Sequence, residues 1–579
     1  MFGHLRAREW VLVMFGLVFI VAQVYLDLKL PDYMAEITRL VQTQGSQMRD
    51  IYVQGGYMLL VALGVLATAI AIGYISATVG SGVAQSLRSA MFNKVNAFSM
   101  GEINKFSTPS LITRTTNDIS QVEVFFIIAL QLLIKSPILA VWGIIKISGK
   151  GYEWTLAMGT AVTFIVLVLV LLIIFVLPKF KHMQKLTDDL NKVARENLTG
   201  LPVVRAYNAE KFQQTAFERT NNDLTKTNLF VSRGTAFMNP AMQLAISSLP
   251  LAIYIIGAIL ITNTVGTGER LSLFSNMVVF SAYAIQVLMA FMFMSMVFIF
   301  LPRATVSAKR INEVLDTKTA IVDGAVTANS MGGRMGTVEF RNVSFKYPNA
   351  VDKVLSNISF TVQKGETVAF IGSTGSGKSS LINLIPRFFD VTEGAVLING
   401  VDVRDYKLAT LHGLLGYVPQ RAVMFSGTVA SNVALGTETT APMVERAVRI
   451  AQGDFVFEME NGISADLSRD GKNVSGGQKQ RLAIARAIYR NPEIYIFDDS
   501  FSALDYKTDK ALRHALKTEI AGATVLIVAQ RIGTIREADK IIVLDNGKIV
   551  GAGKHAELLK SCSVYREIAA GQLTEKELK

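Results

Sequence analysis

The 579-residue chain has a single cysteine, Cys562. No intramolecular disulfide can form, and no cysteine-based metal site can be assembled. Cys562 reads as an ordinary residue near the C-terminus. Concentrated positive charge is also scarce. Lys and Arg total 58 against 46 Asp and Glu, a formal net charge of +12, yet no Lys/Arg block and no basic patch interleaved with aromatics stands out. A nucleic-acid-binding role, the first reading of that charge, therefore lacks its footprint. Low-complexity tracts are absent. No small-residue cleavage site follows the first apolar run, so the start reads as a retained span rather than a signal peptide.

Hydrophobic residues make up 50% of the chain, and the mean hydropathy is +0.36. They concentrate before Leu301, which predicts a membrane half followed by a soluble half. Arg6 and Arg8 precede the first run, Trp10–Leu26, and the others are Tyr57–Val79, Phe125–Ser148, Trp154–Leu177, Ala241–Thr262 and Leu273–Leu301. A helix needs about 20 apolar residues to cross a hydrocarbon core, so six spans are expected. Between Pro178 and Pro240 ten Lys/Arg face six Asp/Glu, whereas the connections at 149–153 and 263–270 are short and nearly neutral. Basic connections favour the cytoplasm, which places both termini there, in a plasma-membrane protein. Two inside connections are long, at about Gly80–Val124 and Pro178–Pro240, with amphipathic helical patterns. They predict membrane helices extended beyond the bilayer, each pair joined by a short helix that touches the soluble domain. The expected division is a membrane domain over 1–302, a linker over 303–336 with a Gly-rich tail, and a soluble α/β domain over 337–579.

In the soluble half, Gly372, Ser373, Thr374, Gly375, Ser376, Gly377, Lys378 and Ser379 fit the phosphate-loop pattern G-x-x-x-x-G-K-[ST]. The strand-like ETVAFI precedes them, and the helix-like run beginning Ser379, Ser380 follows. Backbone N–H groups there would cradle phosphates, Lys378 would reach the β- and γ-phosphates of ATP, and Ser379 would ligate Mg²⁺. A second Gly-bearing turn, Ser475, Gly476, Gly477 and Gln478, leads into another helical run. The stretch Ile494–Asp505 (IYIFDDSFSALD) reads as a buried strand delivering Asp498 to a sheet edge, with Asp499 next in line.

These motifs together resemble an ABC transporter half-molecule of the exporter type: a six-span α-helical membrane domain fused to one α/β P-loop ATPase domain. The resemblance covers essentially the full length. It implies that Tyr347 stacks on adenine, that Gln420 meets Mg²⁺ and faces the membrane domain, and that Asp498 holds Mg²⁺ through water. It also implies a dimer in which Ser475–Gln478 contact the partner's ATP, with Asp505 in the D-loop. Simpler readings stand beside these: Tyr347 as an edge-strand aromatic, Gln420 as a turn residue, and Asp505 as a helix N-cap.

Two positions depart from the family. The residue after the strand acid is usually Glu, and here it is Asp499. Where a histidine is usual, the chain has Gln530. Losing a methylene withdraws the carboxylate by more than about 1 Å, and such a misplacement costs on the order of 10²-fold. Glutamine can bond a phosphate oxygen but cannot be protonated near neutral pH. The signature Ser475–Gln478 is intact, and in a head-to-tail dimer it serves the partner's site. The pattern predicts a heterodimer in which this chain carries the degenerate site and a second half-transporter supplies Glu and His, as in bacterial heterodimeric multidrug exporters.

The last apolar run is dense in Met and Phe (Met277, Met289, Met292, Met294, Met296, Phe291, Phe293, Phe298, Phe300). Polarisable, adaptable residues suit promiscuous apolar cargo, although packed or lipid-facing residues look the same. Lys135, Tyr283, Gln286, Met289 and Phe293 are the candidate cargo contacts. The expected activity is ATP-driven export of an amphipathic drug-like or lipid-like compound. An importer on the same fold, as for metal chelates, and an ATP-gated regulatory membrane protein remain alternatives. A peptide exporter is disfavoured because no N-terminal cysteine-protease domain is seen.

Overall fold

Apolar runs too long for a globular core become long helices. In the computed structural model, residues 6–43, 45–327, 336–348 and 350–573 are described; at 177, 180, 181, 184 and 297–299 only the backbone is. The chain divides into two compact units, one of residues 1–96 and 109–317, the other of residues 97–108 and 318–579.

The first unit is all helical. It contains α1 (Ala7–Gln42) and α2 (Met48–Asn96). Past α3 (Met100–Phe106), which belongs to the other unit, come α4 (Thr108–Thr113), α5 (Ile119–Ile128) and α6 (Lys135–Ile147), joined end to end through two single π-turns. α7 (Tyr152–Thr199), α8 (Leu201–Ala206), α9 (Glu210–Asn263), α10 (Thr267–Ser295) and α11 (Val297–Leu315) follow. Among the described residues, six helical segments are long and apolar enough to cross a membrane. Their core holds Val24, Leu28, Trp154, Phe280 and Tyr283. Trp154 packs on Phe280 with ring centroids 5.8 Å apart. The expected linker start at 303 falls inside α11. Pro302 is the sixth residue of that helix, and Ser307 and Arg310 pin it to Asp118, at 3.0 and 3.3 Å. The two units divide after Thr317.

The second unit takes in residues 97–108. Ser99 and Glu102 close a reciprocal cap on α3, and Glu102 Oε1 accepts from the Ala320 N–H at 3.2 Å. The rest of the unit is built on two sheets. One is antiparallel, in the order β2 (Leu355–Val362), β1 (Val338–Phe345), β4 (Glu393–Ile398), β5 (Val401–Asp402). The other runs β12 (Lys548–Gly553), β11 (Lys540–Asp545), β3 (Thr367–Gly372), β10 (Thr524–Val528), β9 (Ile494–Asp498), β6 (Leu415–Val418). A two-stranded piece pairs β7 (Gly427–Thr428) with β8 (Asp466–Leu467). Five neighbouring strands of the large sheet, β11 to β6, are parallel. All five residues of β9 are buried, as a strand covered on both faces requires. Cys562 is buried in the core of this unit.

Candidate functional site

Ligands of parallel α/β sheets bind beyond the carboxyl ends of the strands. Here the ends of β3, β9, β10 and β6 lie side by side: Val528 pairs with Asp498 and with Phe370, and Val418 pairs with Phe497. The chain leaving each strand therefore brings Gly372, Asp499, Gln530 and Gln420 to one edge.

At β3 the strand turns into the phosphate loop. A side chain at Gly372 would meet the Leu544 carbonyl at 2.0 Å, so only glycine lets β3 lie this close to β11. Gly377 sits at φ +95° and opens the helix Lys378–Asn383. Lys378 Nζ donates to the carbonyls of Gly372 and Ser373 at 2.9 and 2.7 Å and lies 3.2 Å from Ser376 Oγ, which fixes the ammonium over its own loop. Ser379 Oγ donates to Asp498 Oδ1 at 3.1 Å. Two hard oxygen donors side by side at the end of the phosphate loop fit a magnesium–triphosphate. Magnesium would neutralise phosphate charge at Ser379, Asp498 and Gln420. Burial pushes the Asp498 carboxyl above the usual range, helped by Asp499 and opposed by the Ser379 hydrogen bond. Burial also raises Asp499 and lowers the Lys378 ammonium, which both aspartates counteract.

Asp499 is the residue on which the edge converges. It adopts a left-handed backbone, φ +47°, which Asp tolerates better than most residues. Its N–H bonds the Val528 carbonyl at 3.0 Å, and the side chain is buried. Gln530 Nε2 donates to Asp499 Oδ2 at 2.8 Å, and Gln420 Nε2 lies 3.3 Å from the same oxygen. Two amides thus hold one carboxylate oxygen.

Tyr347 is half-buried beside the phosphate loop. Its hydroxyl lies 2.8 Å from Ser380 Oγ, and its ring stands edge-on to Phe345 and Phe389, with centroids 4.8 and 5.1 Å away. In the second Gly-bearing turn, Ser475 Oγ accepts from the Gln478 N–H at 3.3 Å, while Gln478 Oε1 accepts from the Ser475 N–H at 2.8 Å. This capping box opens the helix Gly476–Arg490 with Ser475 and Gly476 exposed. Asp505 caps the helix Tyr506–Glu519, accepting from the Thr508 N–H at 2.9 Å, so the N-cap reading of that residue describes its geometry.

Sequence reasoning overlooked Gln572. Its amide brackets the Gln530 position, donating to the Gln530 carbonyl and accepting from the Ile532 N–H, both at 2.8 Å. No motif marks it; only the fold brings it there.

The cargo candidates are placed in the first unit. Lys135 forms an ion pair with Asp27 at 2.9 Å, and Gln286 Nε2 donates to the Asp27 carbonyl at 3.1 Å. Tyr283 requires a correction as a cargo contact. It is 0% exposed, and its hydroxyl donates to the Leu28 carbonyl and to Asp32, so it is used in packing α10 on α1. Met277 is buried against Gly257, while Met289 and Phe293 are half-buried. The side chain of Phe298 lies outside the described ones.

A P-loop nucleotide-binding domain joined to six helices able to span a membrane defines the class. Residues 355–502 match the ABC transporter family, and residues 13–291 match the ABC transporter transmembrane region. The chain is 39% identical over 503 residues to an uncharacterized ABC transporter ATP-binding protein of Mycobacterium tuberculosis, covering 86% of this chain and 85% of that protein. It is 32% identical over 500 residues to an ATP-dependent lipid A-core flippase of Pseudomonas fluorescens, covering 86% and 82%. A bacterial Atm1-family ABC exporter with ATP bound shares the fold, with a TM-score of 0.80 at 22% identity over 98% of this chain and 100% of that one. The chain belongs to the ABC transporter family, as a half-transporter with one transmembrane region and one ATP-binding domain.

Proposed function

We propose that this chain is one subunit of a heterodimeric exporter that uses ATP to move an amphipathic, drug-like or lipid-like compound across the plasma membrane. Both termini face the cytoplasm in this reading. Its phosphate loop, with Tyr347 on the adenine and Ser379, Gln420 and Asp498 around magnesium, binds ATP and turns it over slowly. Its signature, Ser475–Gln478, completes the competent site of a partner half-transporter that carries Glu and His. Nucleotide-dependent closure of the two ATP-binding domains opens the membrane cavity outward, and turnover at the partner's site resets it. The degenerate site biases the equilibrium between the two states. Asp505 would contribute from the D-loop, and Lys135, Gln286, Met289 and Phe293 from the cavity side.

The observation that carries the slow-site reading is the shared oxygen of Asp499. A general base needs a free lone pair within reach of its water, on a side chain long enough to hold it there. Asp499 is a methylene short and has two amide donors on one oxygen. The lipid A-core flippase relative supports export and an amphipathic cargo. The test is ATPase activity of the purified full-length chain alone. Turnover well below that of competent family members is expected. Fast turnover abolished by Asp499→Asn would overturn the reading.

A further inference from the structure

The helix that the signature turn opens carries an amide into the interior of the ATP-binding domain. Within Gly476–Arg490, Leu482, Ile484 and Ile488 are buried in the core, and Gln480 is buried with them, at 3% exposed. A buried amide costs free energy unless it is bonded. Gln480 Nε2 donates to the Pro419 carbonyl at 3.2 Å. A carbonyl only accepts, so the amide presents its nitrogen there.

That carbonyl belongs to a segment with little else to hold it. β6 is an end strand of the large sheet and stops at Val418. Pro419 has no N–H and cannot extend the pairing. Side chains take over from the ladder. Ser500 Oγ, fully buried in the loop after β9, donates to the Val418 carbonyl at 3.1 Å. Gln480 takes the Pro419 carbonyl. Arg486, on the same helix as Gln480, donates to the Val423 carbonyl at 3.2 Å and to the Asn432 carbonyl at 2.8 Å. Gln420 stands between these anchors, exposed, with its amide 3.3 Å from Asp499 Oδ2. The helix Gly476–Arg490 thus grips the chain on both sides of Gln420.

We infer that Gln480 is a positioning residue: by holding the Pro419 carbonyl it sets where the next residue, Gln420, presents its amide to magnesium. The inference rests on the proposed reading in which Ser379, Gln420 and Asp498 surround the ion. Gln480 acts through Gln420 and touches neither ion nor nucleotide. The same helix begins at Ser475–Gln478, so this one amide joins the turn offered to a partner's ATP to the corner that holds this chain's own magnesium.

The test is the ATP affinity of the full-length chain in lipid nanodiscs, measured with magnesium and with EDTA and expressed as the ratio of the two. Gln480→Met keeps the length of the side chain and removes the donor. The ratio should fall on the order of 10-fold, as when an outer-shell partner of a metal ligand is removed, with the affinity in EDTA unchanged. Gln420→Ala should lower the ratio at least as far, and Gln420→Ala/Gln480→Met no further than Gln420→Ala alone. A ratio preserved in Gln480→Met while Gln420→Ala lowers it overturns the inference and leaves the magnesium reading standing. Binding weakened by the same factor in both conditions is such a case, since it marks lost packing rather than lost position. Losses that add in the double variant overturn it as well. A ratio unmoved by Gln420→Ala overturns the magnesium reading and the inference with it. If Gln480→Met does not fold, Gln480→Glu, which keeps the shape and turns an acceptor toward the carbonyl, is read against the same outcomes.

Discussion

Gln530 Nε2 donates to Asp499 Oδ2 at 2.8 Å, linking the two positions at which this chain departs from its family. The departures are coupled: the shorter acid is reached by the amide that stands where a histidine is usual. A histidine in its place would alternate between donor and acceptor, whereas the amide nitrogen only donates.

Restoring one member alone should accomplish little. Asp499→Glu would leave Gln530 as a fixed donor, and Gln530→His would leave the carboxylate short. The double change Asp499→Glu/Gln530→His, in the chain purified alone, creates two competent sites wherever two copies associate, because Ser475–Gln478 are intact. ATPase turnover should rise by about 10²-fold over the parent, with each single change giving less than a tenth of that gain. Additive single effects would remove the coupling.

Gln572 is the next residue to test. Its amide satisfies the Gln530 carbonyl and the N–H of fully buried Ile532. Gln572→Ala orphans both, at a cost of about 1–2 kcal/mol locally. Hydrogen exchange at Ile532 and its neighbours should speed up roughly 5- to 30-fold, with the phosphate-loop helix unchanged. Unaltered exchange at Ile532 would show that water or another group replaces Gln572 at no cost.

His555 supplies a pH dependence. Burial lowers its imidazole below the usual value, and Arg536 adds to the effect. Its Nδ1 lies 2.7 Å from the Tyr565 hydroxyl, on the helix Ser563–Ala570. The folded state thus binds fewer protons than the unfolded state below about pH 6.5. The stabilising contribution is present above that pH and is lost as the pH falls. Protection of Ser563–Ala570, corrected for intrinsic exchange, should decrease between about pH 7.5 and 5.5. In His555→Gln the dependence should vanish; if it persists, another group is responsible.

What the sequence revealed depended on the range of the interactions. The phosphate loop was legible because eight consecutive residues, a preceding strand and a following helix carry it. β9 was legible because an apolar run ending in an acid is a local pattern. The clamp on Asp499 was not, since Gln420 and Gln530 lie 79 and 31 residues away and only the parallel order of β6, β9 and β10 aligns them. The apolar run Trp10–Leu26 marks only part of the first helix, and Asp27 and Asp32 lie beyond it. The helix nevertheless continues to Gln42, and lysines of α6, more than a hundred residues on, neutralise both acids. The linker expected from Arg303 overlaps α11, which runs to Leu315 with Ser307 and Arg310 held to Asp118.

Those α1 acids give the last prediction. Asp27 and Lys135 pair at 2.9 Å with side chains 18% and 22% exposed, at a depth where an unpaired charge is costly. Asp27→Leu strands the ammonium and Lys135→Met strands the carboxylate. Each should destabilise the full-length chain by on the order of 1–3 kcal/mol, read as a lower aggregation temperature in lipid. Removing both charges together, as Asp27→Leu/Lys135→Met, should restore most of the loss, because the penalty is that of an unpaired charge rather than of a missing bond. The same double variant separates packing from cargo handling. If it regains stability and also exports, Lys135 serves to join α6 to α1; if it regains stability and exports nothing, the ammonium meets the cargo. A double variant no more stable than the singles would mean that the pair contributes through its geometry and not through mutual neutralisation.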